Sequence, residues 1–360
     1  LTVALLESNS SLVGHIEAVV TDDEASANLS RVAVVEPNEI CDHKNICRVF
    51  LSETKTFSRM QMRALLPDGI EVIEPDVLTT IALDNIPDRA WTPIVNNIYP
   101  IDIPEIHFEH GQDMILIDCP ARNLSLMPNG LGYVHNVLKK TSIKFQTFDL
   151  DIVTYHRFHL HRLFDEGSII SLPSGRQFPA DPWQAEHYDW WQDEEVVKYF
   201  SPIIEEAAAA IIKARPKMLG LSIHQCNEAY SRELVNLVKE ELPDITVIVG
   251  GFSCYNPELG IPEVFPEADY MCIGECELTV TPLVEALAND EKPKNMPGIL
   301  SRYDDSDWSY IPGPMPHNLD HIEFPKYEWF DLDVYRNFNG YQLTPIIASR
   351  GCRWSRCTFC

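Results

Sequence analysis

Between residues 114 and 289, apolar runs too short for helices alternate with longer amphipathic stretches, and this rhythm constrains the fold more than any other feature of the chain. The apolar runs occupy residues 114–117, 145–150, 218–223, 246–249 and 270–273. Helical spacing marks residues 131–140, 202–215, 229–242 and 279–288, with Thr279 placed to cap the last of these. Strands that alternate with helices bury both sheet faces and join through right-handed crossovers. The expected fold class is therefore α/β, a doubly wound, five-stranded parallel sheet of the Rossmann-like, flavodoxin-like kind. Such sheets bind ligands beyond the C-terminal ends of their strands.

Three loops are expected at that edge. Ser222-Ile223-His224-Gln225-Cys226-Asn227 follows the third strand, Gly250-Gly251-Phe252-Ser253 the fourth and Gly274-Glu275-Cys276-Glu277 the fifth. Glycines let a bulky ligand approach the backbone, and serine or asparagine can donate to amide or phosphate oxygens. Ser222, Gly250, Gly251, Gly274 and Glu275 are accordingly the candidate ligand contacts. The first strand is not followed by Gly-x-Gly-x-x-Gly, so a dinucleotide is not favoured.

A second signal lies at Cys352, Cys357 and Cys360. Residues 341–348 read as a short apolar strand, and Ser349-Arg350-Gly351 supplies the turn into the cysteine loop. Three thiolates on one loop can converge on a soft metal centre, whereas three cannot pair as disulfides among themselves. A zinc site completed by a further ligand and three unligated thiols are the alternatives.

Strand, Ser-Arg-Gly-Cys turn and the ending Cys357-Thr358-Phe359-Cys360 together resemble the radical S-adenosylmethionine (SAM) enzymes. The chain departs from the commonest pattern in having four residues between Cys352 and Cys357 where three are usual, and Arg353 where proline is usual. The resemblance implies a [4Fe-4S] cluster on Cys352, Cys357 and Cys360, with the fourth iron left to SAM. It also suggests that Phe359 lines the adenine side of the SAM site, packing under the loop being the other reading of that side chain. The order Gly250-Gly251, Ala268-Asp269-Tyr270 and Gly274-Glu275-Cys276-Glu277 resembles the cobalamin-binding domain of one large radical SAM class. Relatives commonly read Gly-Glu-Gly-Glu, so Cys276 replaces a glycine.

What the resemblance implies as a whole is the N-terminal fragment of a cobalamin-dependent radical SAM enzyme, truncated within its partial barrel. Its activity would be methyl transfer to an unactivated carbon, through a 5′-deoxyadenosyl radical and methylcobalamin. A small-molecule or peptide substrate and an electron donor such as flavodoxin or ferredoxin are the implied partners. Radical-driven ring formation or rearrangement is the alternative activity, and a non-catalytic corrinoid- or metal-binding module the alternative class. Residues 118–123, at the place where some cobalamin domains carry a cobalt-ligating histidine, contain none. His224 is the one histidine on the expected rim.

Composition bounds the partners. The chain of 360 residues has 54 acidic against 28 basic residues and a net charge of -26, which argues against nucleic acid or an anionic membrane surface. No run of eighteen apolar residues and no signal peptide occur, and the start at Leu1 fits an N-terminus lying further upstream. Ten dispersed cysteines suit a reducing cytoplasm. The expected organisation is an α/β region over 1–112, a cobalamin-binding-like domain over 113–290, a linker over 291–340 and the start of a radical SAM domain over 341–360. Within the first region, residues 31–36 and 71–74 read as strands and 58–66 as a helix, while Cys41, His43 and Cys47 read as ordinary side chains. Residues 154–199, with His156, His159, His161, Trp183, Tyr188, Trp190 and Trp191, read as a surface insertion that packs locally and carries no chemistry.

Overall fold

The computed structural model describes residues 18–20, 33–35, 48–50, 71–73, 101–122, 127–162, 170–179, 181–315, 318, 320, 322–336, 343–345, 347 and 350. The chain divides into two compact units, one of residues 1–102 with 157–169, the other of residues 103–156 with 170–360. In the first, β1 (Ala18–Val20) pairs in parallel with β2 (Ala33–Val35), and β3 (Arg48–Phe50) with β4 (Glu71–Ile73). The expected helix at 58–66 lies outside the described residues.

The second unit is built on β5 (Met114–Asp118), α1 (Asn129–Leu138), β6 (Phe145–Asp149) and the start of α2 (Leu150–Arg162). A hairpin of β7 (Ile170–Ser171) and β8 (Gln177–Phe178) follows, then a 3-10 turn over Ala185–Gln192, α3 (Glu194–Tyr199) and α4 (Ser201–Ala214). The sheet resumes with β9 (Met218–Ser222), α5 (Glu228–Glu241), β10 (Thr246–Gly250), α6 (Ile261–Val264), β11 (Tyr270–Cys272), α7 (Val280–Ala288) and β12 (Ile299–Ser301). Strand order is β12-β11-β10-β9-β5-β6. All neighbours pair in parallel except β12, which runs antiparallel to β11. The sheet thus has six strands where five were expected. The added strand comes from the segment read as linker, and three residues between turns are too few to show a strand period.

Side-chain alternation assigns the core. Met114, Leu116, Met218, Ile248, Tyr270 and Cys272 share one buried cluster with Leu131 and Leu138 of α1 and Leu283 and Leu287 of α7. Their intervening neighbours Ile115, Ile117, Leu219, Leu221, Val247 and Val249 are buried too, while α4 packs against α5. Burial on both faces explains why these strands read as continuous apolar runs.

The 154–199 stretch departs most from expectation. Residues 150–162 form one helix, and its described part is buried all round, Leu150, Ile152, Thr154 and His156 each being 0% exposed. A helix buried on every side shows no polar face, so its periodicity is absent from the sequence. Of the aromatics that follow, Trp183 and Trp191 are interior as well, while Tyr188 and Trp190 are half-buried. Trp183 and Trp191 meet edge to face at 4.8 Å, and Trp191 stacks on Phe200 at 5.0 Å. No helix among the described residues is long and apolar enough to cross a membrane.

Candidate cofactor-binding rim

The strand register sets the site. Asp149 pairs with Asp118, Asp118 with Ser222, and Ser222 with Gly250, so one row of residues runs across the sheet at its C-terminal edge. Gly274 and Glu275 follow β11 at the same edge, so all five candidate ligand contacts are brought to it. Cys352, Cys357, Cys360 and Phe359 lie outside the described residues, and no cluster of His, Cys, Asp or Glu suited to a metal occurs among the described ones.

Gly251 adopts φ +104°, and a Cβ there would lie 2.7 Å from the Ile223 carbonyl oxygen and 2.9 Å from its nitrogen. Its glycine identity is therefore explained within the chain, by the close approach of two rim loops. Gly274 differs. At φ +68° a Cβ would meet nothing within 4 Å, which leaves open space over the turn. Phe252 is 88% exposed, Tyr255 71% and Leu278 48%, so apolar surface flanks that space. Open backbone beside exposed aromatic surface suits a large planar ligand such as a corrin.

Asn227, fully buried, ties two rim loops together. Its Nδ2 donates to the Ser222 carbonyl at 2.7 Å and the Cys119 carbonyl at 3.3 Å, while its Oδ1 accepts from the His224 backbone N–H at 2.9 Å. Ser222 thus contributes its carbonyl to the scaffold.

Beside this row sits a cluster that sequence reading missed. The Arg122 guanidinium donates to Asp118 at 2.5 Å and to Asp149 at 2.8 Å, and lies 3.6 Å from Asp151. The Arg122 backbone N–H donates to Asp151 Oδ2 at 2.9 Å, and Trp183 Nε1 to Asp151 Oδ1 at 2.6 Å. Asp118 Oδ1 is buried without a hydrogen-bond partner among the described residues. Burial, reinforced by Asp149 and opposed by Arg122, pushes the Asp118 carboxyl up to about 7. Burial likewise holds Asp151 well above the carboxylate range. One guanidinium shared with these carboxylates does not offset their burial, which accords with the raised Asp118 and Asp151. Burial and the nearby Arg122 lower His224 to about 4, so its imidazole is neutral at pH 7. The available signal was an aspartate just after the first apolar run, at 118, and one near the end of the second, at 149.

Arg350, two residues before Cys352, reaches this edge. It donates to Glu277 Oε1 at 2.5 Å and Glu275 Oε2 at 3.1 Å, with its guanidinium 4.9 Å from the Tyr133 ring centre. Glu275 and Glu277 outweigh the burial that opposes the Arg350 charge and push its pKa up. Glu275 was expected as a ligand contact, and in this structure its carboxylate holds Arg350. Nearby, the Met127 N–H donates to the Leu343 carbonyl at 3.2 Å, tying the approach to the cysteine loop to the loop before α1. A depression lined by Glu109, Gln112, Lys139 and Lys144 lies where β5 and β6 begin, at the opposite edge of the sheet.

No protein-family model matches the chain. Among curated proteins it is 28% identical over 156 residues to an uncharacterized methyltransferase of Pyrococcus horikoshii, a match covering 43% of this chain and 33% of the relative. It is 33% identical over 128 residues to the anaerobic magnesium-protoporphyrin IX monomethyl ester cyclase of Synechocystis, covering 35% and 25%. To the cytidylyl-2-hydroxyethylphosphonate methyltransferase of Streptomyces wedmorensis it is 24% identical over 267 residues, covering 65% and 43%. The chain therefore spans less than half the length of each of these relatives. Among solved structures, the radical S-adenosylmethionine methyltransferase TsrM of Kitasatospora setae aligns at 15% identity and a TM-score of 0.34, over 56% of this chain and 30% of that one.

Proposed function

We propose that this chain is part of a cobalamin-dependent radical SAM methyltransferase, with cobalamin over the rim of the six-stranded sheet and a [4Fe-4S] cluster on Cys352, Cys357 and Cys360. The observation that carries the reading is Arg350. This residue of the Ser-Arg-Gly-Cys turn is held by Glu275 and Glu277 of the loop expected to face cobalamin, so the start of the cysteine loop is fastened to the rim. Two curated relatives named as methyltransferases support the transfer chemistry.

The residues divide the work. Gly274 leaves room over the turn, while Phe252 and Leu278 offer apolar surface to a corrin. Asn227 holds the β5 and β9 loops in register beneath it. Three thiolates would hold an iron-sulfur cluster and leave one iron open for SAM, with Phe359 beside the adenine. The bound cofactors supply radical formation and the transferable methyl group, and the chain supplies orientation and exclusion of competing reactions. The similarity to a protein named as a cyclase favours a second reading, in which the same radical chemistry closes a ring.

The test is anaerobic reconstitution of the full-length protein with iron, sulfide and hydroxocobalamin. Iron content and the cluster's electron paramagnetic resonance signal should be lost on replacing Cys352, Cys357 or Cys360 with alanine, while bound cobalamin is retained. Stoichiometric zinc in place of iron after strictly anaerobic purification would sink the cluster assignment. Transfer of an isotopically labelled methyl group from SAM to bound cobalamin separates methyl transfer from cyclisation.

A further inference from the structure

The departure from Gly-Glu-Gly-Glu has a structural counterpart. Cys276 is half-buried and packs against the core cluster that contains Cys272, the last residue of β11. The two thiols lie close enough on the turn for Cys276 to perturb Cys272. Only Ile273-Gly274-Glu275 separates them, and the positive φ of Gly274 bends the chain back between the two cysteines. The turn is fixed at both ends, since the Gly274 N–H donates to the Cys254 carbonyl at 2.9 Å and the Val280 N–H to the Cys276 carbonyl at 2.8 Å. Cys254 supplies a third, buried thiol nearby.

We infer that Cys272 and Cys276 form a reversible dithiol–disulfide site on the rim, oxidised by low-molecular-weight disulfides such as oxidised glutathione. The roles follow from access. Cys276, reachable from solvent, attacks one sulfur of oxidised glutathione as a thiolate and releases one glutathione thiolate, leaving a mixed disulfide. Cys272, 2% exposed, then gives its proton to solvent and displaces the second glutathione. One Sγ–Sγ bond forms, the protein loses two hydrogens and two electrons, and one oxidised glutathione becomes two reduced ones. The neighbouring Cys276 thiol, followed by burial, holds the Cys272 thiol well above its ordinary range, which suits a resolving partner that stays protonated until the mixed disulfide forms. Burial, followed by Cys276, pushes Cys254 up to about 12, so it is the weaker competitor. The disulfide would lock the turn that presents Glu275 and Glu277 to Arg350, whichever cofactor the rim holds.

Full-length protein, purified and reduced under anaerobic conditions, is treated with excess oxidised glutathione, alkylated rapidly and mapped by non-reducing peptide mass spectrometry. The expected product is one peptide carrying the Cys272–Cys276 link, two hydrogens lighter than its reduced form and regenerated by reduced glutathione. Cys272→Ser should instead trap glutathione on Cys276, Cys276→Ser should leave Cys272 without an adduct, and Cys254→Ser should keep the link. A Cys254–Cys276 link, a persistent glutathione adduct on wild-type Cys276, or full alkylation of all three thiols would each overturn the inference. The wild-type map decides the matter even where a serine variant folds poorly.

Discussion

Arg350 and Glu277 form an ion pair whose side chains are only 8% and 9% exposed, joining the turn before the cysteine loop to the turn after β11. Removing Glu277 would leave the buried Arg350 charge with only the more exposed Glu275, which costs more than the pair's net worth. Glu277→Gln should therefore lower the unfolding free energy by about 3 kcal/mol in urea titrations. Glu275 is 33% exposed and 3.1 Å from Arg350, so Glu275→Gln should cost about 1 kcal/mol or less. Equal losses from the two variants would refute the assignment of Glu277 as the principal anchor.

The rim glycines should separate a folding role from a binding role. Gly251→Ala places a methyl group against the Ile223 backbone at positive φ, where neither flexible side chain nor rotamer change can relieve it. A loss of roughly 2–4 kcal/mol is expected in the absence of any ligand. Gly274→Ala meets no atom and costs only the positive φ, about 1 kcal/mol. Its effect should appear in cobalamin affinity, read by equilibrium dialysis, as at least a tenfold weakening. An unchanged affinity would remove Gly274 from the ligand surface.

Asp118 gives the protein a pH signature. Its folded carboxyl is raised above the unfolded value of 3.8 to about 7, so the folded state holds the extra proton between those limits. Stability from this group is full below the unfolded value and falls as pH rises through the folded one. The difference in melting temperature, Asp118→Asn minus wild type, should accordingly be more favourable to the variant at pH 8 than at pH 5. A difference that does not change with pH would show that Arg122 keeps Asp118 ionised throughout.

Much of this arrangement was legible because each parallel strand buries two faces and leaves an uninterrupted apolar run. Residues 114–117 and 218–223 were recognisable for that reason. The rim loops were legible too, since Ser222, Gly250 and Gly274 end or follow such runs. What failed to show has two physical causes. The helix over Leu150–Arg162 is buried all round in its described part and so lacks amphipathic spacing, and β12 is too short for any period. The carboxylate cluster was hidden by distance along the chain, with Asp118 and Asp149 brought together by sheet register and Trp183 reaching Asp151 from a separate segment. The contact of Glu275 with Arg350 could not be read in advance, because an ion pair spanning 75 residues leaves no local trace in a sequence.

If cobalamin occupies the rim, its cobalt should lack a protein histidine ligand. The loop after β5 contains no histidine, which leaves His224 as the candidate on this edge. Burial and the neighbouring Arg122 keep its imidazole neutral, the form that could bind a metal. Protonation state therefore does not prevent ligation, but access does. His224 Nε2 is shielded from solvent by the surrounding protein, and its backbone N–H is fixed by Asn227 at 2.9 Å. Bringing Nε2 to a cobalt above the rim would take it out of its buried position, and any opening of the 222–227 loop would break the Asn227 bonds to Ser222 and Cys119. Each such buried bond contributes about 1 kcal/mol and leaves an unsatisfied group when lost, so opening is disfavoured. Electron paramagnetic resonance of the cob(II)alamin state in the full-length protein should show an unsplit, five-coordinate, base-off spectrum, identical in His224→Ala. Nitrogen superhyperfine splitting that vanishes in the variant would mean that the loop does open and that His224 is the cobalt ligand.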